Sequence, residues 1–169
     1  MANTTFDGPV RSKNGFINIG PGMTKSLSAD TVLTVQEHAG RILLLNDADG
    51  KFTLPAINTN ADSAVAGPGS DPNNLNNIGA SFYFYIETAA TDLDIKTDGT
   101  DKFTGAVMLA VDDGAKKAFV PAAANDVMTF DGGTAGGLAG SVVQVTAVDT
   151  NNYLVHNSLV IATGTIVTP

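Results

Sequence analysis

The sequence predicts an all-β protein: an antiparallel β-sandwich or barrel, jelly-roll-like, with an extended N-terminal arm. Three observations predict it. No segment holds a 3.6-residue apolar period with caps at its ends. Short β-branched and aromatic runs recur at close spacing, separated by Gly, Asn and Asp turns. The chain has only two glutamates, Glu37 and Glu87, and 15% charged residues, against roughly 25% in ordinary soluble domains. Helix surfaces favour Glu, Lys, Arg and Gln. Here polarity comes from Asn, Thr, Ser, Asp and Gly, which suit strands and turns.

In chain order, residues 1–15 carry Gly and Pro breaks and no period, and read as an arm. Residues 16–169 read as one domain, a size that fits a single core. A short strand is expected near residues 16–19 and a polar connector over 23–30. Residues 31–36 are β-branched, as a strand requires. Residues 41–46 form a continuous apolar run, expected to be a buried strand. The turn Asp47-Ala48-Asp49-Gly50 reads as a hairpin with Gly at positive φ. With residues 51–54 these runs predict a three-stranded antiparallel meander. Residues 56–79 form a long loop rich in Asn, Asp, Gly and Pro. Residues 81–87 are the strongest strand, with Phe82, Phe84 and Ile86 inward. Tyr83 and Tyr85 then face outward, and such bare tyrosines mark a possible subunit interface.

Leu93 and Ile95 mark a short strand. Residues 103–111 continue with Val107, Leu109 and Val111 on one face. Strands are also expected at 118–120, 127–130, 141–148, 153–155 and 159–161. In 141–148, Val143, Val145 and Ala147 share one face and Gln144 and Thr146 the other. The run GGTAGGLAG at 132–140 reads as a flexible hairpin tip. DADGKFTLPA at 47–56 and DDGAKKAFVPAA at 112–123 echo each other. Shared hairpin grammar explains this, with a duplicated half-barrel as the sharper alternative.

Net charge is −8. Residues 1–29 carry Arg11, Lys13 and Lys25 against Asp7, so the remainder stands at −10. An acidic body repels phosphate, so no nucleic-acid partner is expected. No apolar run approaches the ~20 residues a spanning helix needs, and no apolar stretch of signal-peptide type opens the chain. No membrane partner is expected, and synthesis in a cytoplasm is. Cysteine is absent, which removes disulfides, zinc thiolates and cysteine nucleophiles. His38 and His156 are the two histidines; they read as surface residues, and nothing marks a nucleophile beside them. Carboxylates cluster in turns at Asp47 and Asp49, at Asp92 to Asp101, and at Asp112 and Asp113. Calcium takes such oxygens, yet the spacing is ordinary turn chemistry. The glycine run lacks the Lys-Ser/Thr of a phosphate loop. No catalytic residue, metal or cofactor is expected.

One resemblance stands beside this reading. TVLTV at 31–35, AGRILLL at 39–45, GKFTLPA at 50–56, GASFYFYI at 79–86 and TDGTDKFTGAV at 97–107 resemble a pattern common in tailed-phage virion proteins. The opening MANTTFDGPVRSKNGF is similar to the start of small structural proteins of marine and cyanobacterial phages. Such proteins are often capsid decoration, or cement, proteins; related strings also occur in tail fibres. The resemblance covers residues 1–19 and 31–111 best. It implies a structural virion protein on the capsid exterior, a homotrimer that clamps neighbouring major capsid proteins. It further implies that the arm adds to a capsid sheet edge. Phe6, Pro9, Val10 and Phe16 would then be anchors, with Arg11 and Lys13 paired to capsid acids. The alternative is a receptor- or glycan-binding module of a tail or head fibre.

Overall fold

The computed structural model describes residues 20–59, 76–111 and 116–163. The elements in order are a 3-10 turn Pro21–Met23, β1 Thr24–Leu27, β2 Thr31–Val32, α1 Val35–His38, β3 Ile42–Leu45, β4 Lys51–Thr53, β5 Ser81–Ile86 and β6 Leu93–Lys96. Then follow β7 Lys102–Gly105, β8 Val107–Val111, β9 Lys116–Phe119, β10 Val127–Phe130, β11 Val142–Ala147 and β12 Asn152–Ala162. Two sheets face each other over one apolar core. The larger runs β1-β3-β5-β11-β12-β8-β9, with β7 also on β12; the smaller runs β10-β6-β4-β2. The all-β sandwich holds, and the barrel alternative falls.

The pairing corrects the antiparallel expectation. β1, β3 and β5 are parallel neighbours, and so are β2, β4 and β6. Successive strands alternate between the sheets, so the first half of the domain is a coil of stacked windings. Each turn carries the chain from one sheet to the other. Neighbouring turns stack through the backbone: Asn46 N donates to Leu27 O at 2.9 Å, Glu87 N to Leu45 O at 3.0 Å, and Thr91 N to Ala48 O at 2.7 Å. The meander over 31–54 is therefore wrong. Asp47 to Gly50 does turn the chain, but it joins strands of different sheets. Hairpins and such arches use the same turn residues, so composition cannot separate them. Gly50 is not at positive φ either. It is glycine because a Cβ there would lie 2.7 Å from the Phe52 ring.

The second half closes the coil with antiparallel strands. β10 pairs with β6, and β11 with both β5 and β12. β12 is one eleven-residue strand where the sequence predicts two. Asn157, at φ 45°, kinks it without breaking it. The register between β11 and β12 shifts between Val142 and Gln144. On its other edge β12 takes β7 and β8, both parallel. These two share the predicted 103–111 strand, broken at Ala106. Ser158 spans the break: its Oγ donates to Ala106 O at 3.0 Å and accepts from Met108 N at 3.2 Å.

Other expectations change too. The connector at 23–30 contains β1, and the strand at 31–36 stops at Val32 because Thr34 caps α1, accepting from Glu37 N at 3.3 Å. The glycine run is a packed turn. Gly132 N donates to Gly136 O at 2.7 Å, and a Cβ on Gly137 would meet the Phe130 Cβ at 2.6 Å. The echo at 47–56 and 112–123 occupies unlike places, β4 in the smaller sheet and β9 at the larger sheet's edge, which removes the half-barrel reading.

The core is built as columns across the windings. Leu27, Leu45 and Ile86 form one, and Leu43 with Phe84 another; Phe52 and Ile95 face them from the smaller sheet. Phe52, Phe82, Phe84, Phe103, Phe130 and Tyr153 are fully buried. Each such ring contributes about 1.5–3 kcal/mol by leaving water. At the first winding the first column ends in Leu27, while two others end in polar residues, Lys25 beside Leu43 and Thr31 beside Phe52. Lys25 Nζ reaches Glu37 at 2.6 Å. A polar terminal winding is how a coil of repeats ends without exposing its core, and an edge lysine discourages further strand pairing.

Gly99 and Gly105 allow sterics and backbone strain to be separated. Their φ values are +96° and +97°, but a Cβ meets nothing at Gly99 and lies 2.2 Å from the Val155 carbonyl oxygen at Gly105. Gly99→Ala is expected to cost about 1–2 kcal/mol for the left-handed backbone. Gly105→Ala is expected to cost at least about 3 kcal/mol, because strain and overlap act together. Urea unfolding of both variants measures the difference.

Candidate interaction surface

Alternation in the larger sheet decides what its outer face carries. Phe82, Phe84 and Ile86 point inward on β5, as do Val143, Val145 and Ala147 on β11. Their neighbours must therefore point out. The register then aligns outward residues across the strands. Ile42 pairs with Tyr83 and Tyr83 with Gln144; Leu44 pairs with Tyr85, Tyr85 with Val142, and Val142 with Leu159. Met108 lies on β8 one residue before the Leu109–Val160 pair. Of these, Ile42, Tyr83, Val142, Leu159 and Met108 are 37–51% exposed.

The expected outward placement of Tyr83 and Tyr85 holds: Tyr83 is exposed and Tyr85 half-buried. The strand readings that placed them did not foresee their neighbours. Ile42 and Leu44 sit in a run that composition reads as wholly buried, and Val142 and Leu159 become neighbours through a pairing that tight-turn logic does not reveal. A groove of about 360 Å³ opens between the tyrosines and β11, lined by Ile42, Tyr83, Tyr85, Val142, Gln144 and Asn157. At its floor Gln144, 7% exposed, accepts from Asn157 Nδ2 at 2.8 Å. That bond holds the kinked Asn157 against β11.

No outward position of β1, β3, β5, β11, β12 or β8 is Asp, Glu, Lys or Arg. Those positions are Thr24, Ser26, Ile42, Leu44, Ser81, Tyr83, Tyr85, Val142, Gln144, Thr146, Asn152, Leu154, His156, Leu159, Ile161, Met108 and Ala110, with Asn157 at the kink. The chain carries seventeen acidic and nine basic residues; on this face of the sheet charge is confined to the flanking strands, where Lys102 of β7 pairs with Asn152 and Lys116 of β9 with Ala110, and the six strands between carry none at outward positions. A contiguous apolar face of this kind is a candidate interaction site.

The face also holds a polar ladder that the sequence does not reveal. Ser81 Oγ lies 2.6 Å from Thr146 Oγ1, which lies 2.8 Å from His156 Nε2. The three residues sit on adjacent strands, β5, β11 and β12. No carboxylate among the described residues holds the other ring nitrogen, so the group has the form of a cross-strand hydrogen-bond chain rather than a catalytic triad.

His38 corrects the surface reading of the histidines, being 3% exposed. Its Nδ1 accepts from Thr34 N at 2.9 Å, while Nε2 is buried without a partner among the described residues. Burial, helped by Lys25, lowers the ring's pKa; the Thr34 backbone and Glu37 oppose that. The carboxylate turns do not converge either: among the described residues no three His, Cys, Asp or Glu side chains stand together as a metal site would need.

The long loop at 56–79 enters and leaves through a fixed stem. Asn77 Nδ2 donates to Ala56 O and its Oδ1 accepts from Asn58 N, both at 2.8 Å. Buried Asp101 accepts from Ile57 N at 2.8 Å, and Tyr153 donates its hydroxyl to Pro55 O at 2.6 Å. Burial raises the Asp101 carboxyl, against the pull of the Ile57 amide. Residues 60–75 lie outside the described residues. So do the arm and its expected anchors Phe6, Pro9, Val10, Arg11, Lys13 and Phe16.

Comparison of the chain with family models, with curated proteins and with solved structures finds no match.

The His38 environment yields a pH dependence. The folded ring takes up a proton at lower pH than the unfolded ring, whose ordinary value is 6.5. Protonation therefore favours unfolding, and the stability tied to neutral His38 is complete above that value and lost progressively below it. Thermal unfolding at pH 7.5 and 5.5 should show a lower midpoint at pH 5.5. His38→Gln should shrink the difference; an equal difference in the variant would remove His38 as its source.

Proposed function

We propose that the protein is a non-enzymatic structural component of a phage virion. It binds the outer surface of the capsid and stabilises contacts between major capsid proteins. The observation that carries this reading is the apolar face centred on Tyr83 and Tyr85, whose central strands carry no charged residue at outward positions. The sheet that bears it is braced from behind by a full aromatic core, so the face is presented on a rigid element. The resemblance of the strand strings and the opening segment to phage decoration proteins points the same way, toward assembly.

In this reading the arm, residues 1–15, with Phe16 at its base, supplies the contact with the capsid. Added to a sheet edge, it binds by backbone hydrogen bonds, with Phe6, Val10 and Phe16 filling alternate pockets and Arg11 and Lys13 meeting acids. Low surface charge suits a virion exposed to changing salt, since few contacts then depend on screened ion pairs. Many copies on one shell let individually weak contacts add through effective concentration.

The test is co-sedimentation with capsids that lack the protein. Full-length protein should pellet with the shells, and protein lacking residues 1–15 should keep its circular dichroism spectrum yet stay in the supernatant. Failure of the full-length protein to pellet would end the cement reading and favour the fibre-module alternative. That alternative predicts a few copies at the tail, not hundreds on the head.

A further inference from the structure

We propose that the outer face of the larger sheet is a self-association surface, and that its occupant is a second copy of this chain. The proposal names a partner for the face on which the functional reading rests, but it concerns the free protein and does not require the capsid. Three observations carry it.

The first is charge. Two copies at −8 each repel one another wherever acidic surface meets. The outward positions of β1, β3, β5, β11, β12 and β8 offer a place where they meet without an acid or a base between them. Lysines stand only on the flanking strands, Lys102 on β7 and Lys116 on β9, so the centre of the face gives no hold on anionic lipid headgroups, and a charged partner would find no counter-charge there.

The second is extent. Six strands about 4.8 Å apart, most of them four to six residues long, present roughly 500 Å² in projection. Corrugation by side chains raises the accessible area toward the ~800 Å² that each partner commits in a standard interface. The apolar rows occupy the centre of this area. Thr24 and Ser26 lie at one margin, and Ser81, Thr146 and His156 run along another. An apolar centre with a polar rim is the anatomy of a protein–protein interface. A small ligand would leave most of it uncovered.

The third is composition. Tyr83 and Tyr85 stand side by side with Ile42, Leu44, Val142 and Leu159. Tyrosine brings large contact area and a hydroxyl that can be satisfied at a partly wet surface. The inner face of this same sheet already packs on an apolar sheet, and the outer face repeats that chemistry at lower burial. A second copy supplies a surface of the same shape and polarity.

The experiment is sedimentation velocity of the full-length chain from about 1 to 200 µM, with Tyr83→Glu, Leu159→Glu and the control Val32→Glu. Val32 is 72% exposed at the edge of the smaller sheet, away from the face. Wild type and V32E should form the same discrete oligomer. Y83E and L159E, shown to be folded by circular dichroism, should dissociate at least about 100-fold more readily, as loss of a central anchor does. A wild-type monomer throughout the range would overturn the proposal, as would an oligomer that survives Y83E and L159E or is lost in V32E. Each of those results leaves the capsid co-sedimentation result standing on its own.

Discussion

The structure depends on one constraint: each crossing of the chain between sheets must stack on the crossing before it. Asn46 N bonds back to Leu27 O, and Glu87 N bonds back to Leu45 O. Those links place β1, β3 and β5 in one parallel register and β2, β4 and β6 in another. The core columns follow from that register. A one-residue slip would turn Leu43, Leu45, Phe84 and Ile86 outward and bring Ile42, Leu44, Tyr83 and Tyr85 inside. The antiparallel strands β10, β11 and β12 then seal the later edge of the coil, and Lys25, Thr31 and α1 close the earlier one.

The same register generates the apolar outer face. Inward columns of Leu and Phe need outward columns beside them, and here those hold Ile42, Leu44, Tyr83, Tyr85, Val142 and Leu159 where a solvated sheet would carry polar and charged residues. The kink at Asn157 changes the pairing so that Leu159, rather than a residue nearer His156, stands against Val142. A backbone in the left-handed region is unfavourable for most residues; asparagine tolerates it, and the bond to Gln144 holds it. The virion reading and the self-association proposal both draw on this face, with one placing the protein and the other naming what covers the sheet.

Much of this was legible in the residues. Strand content follows from β-branched and aromatic runs, and β5, β6 and β10 stand where the pattern puts them. Inward Phe82 and Phe84 and outward Tyr83 and Tyr85 follow from period-two alternation alone. Connectivity was not legible, because Asp, Gly and Asn mark a turn without saying which sheet the chain enters next. Val32 and Thr34 show a further limit: β-branched residues predict a strand, but the Thr34 cap begins a helical turn there. His38 was misread because an isolated histidine carries no period, and its burial is decided by α1 folding over the first winding. The apolar face was half legible. Its tyrosines show in the sequence, while Ile42, Val142, Leu159 and Met108 join them only through long-range register.

The central claim is that the face around Tyr83 is where the molecule meets its neighbours. Hydroxyl-radical footprinting of the full-length chain, at a dilution where it is monomeric and at a concentration where it is assembled, tests this most directly. The account predicts that labelling falls together at Tyr83, Tyr85, Leu159 and Met108 on assembly, while Val32 and Val148 keep theirs. Unchanged labelling at Tyr83 and Leu159, with protection appearing at Val32 or Val148 instead, would contradict it.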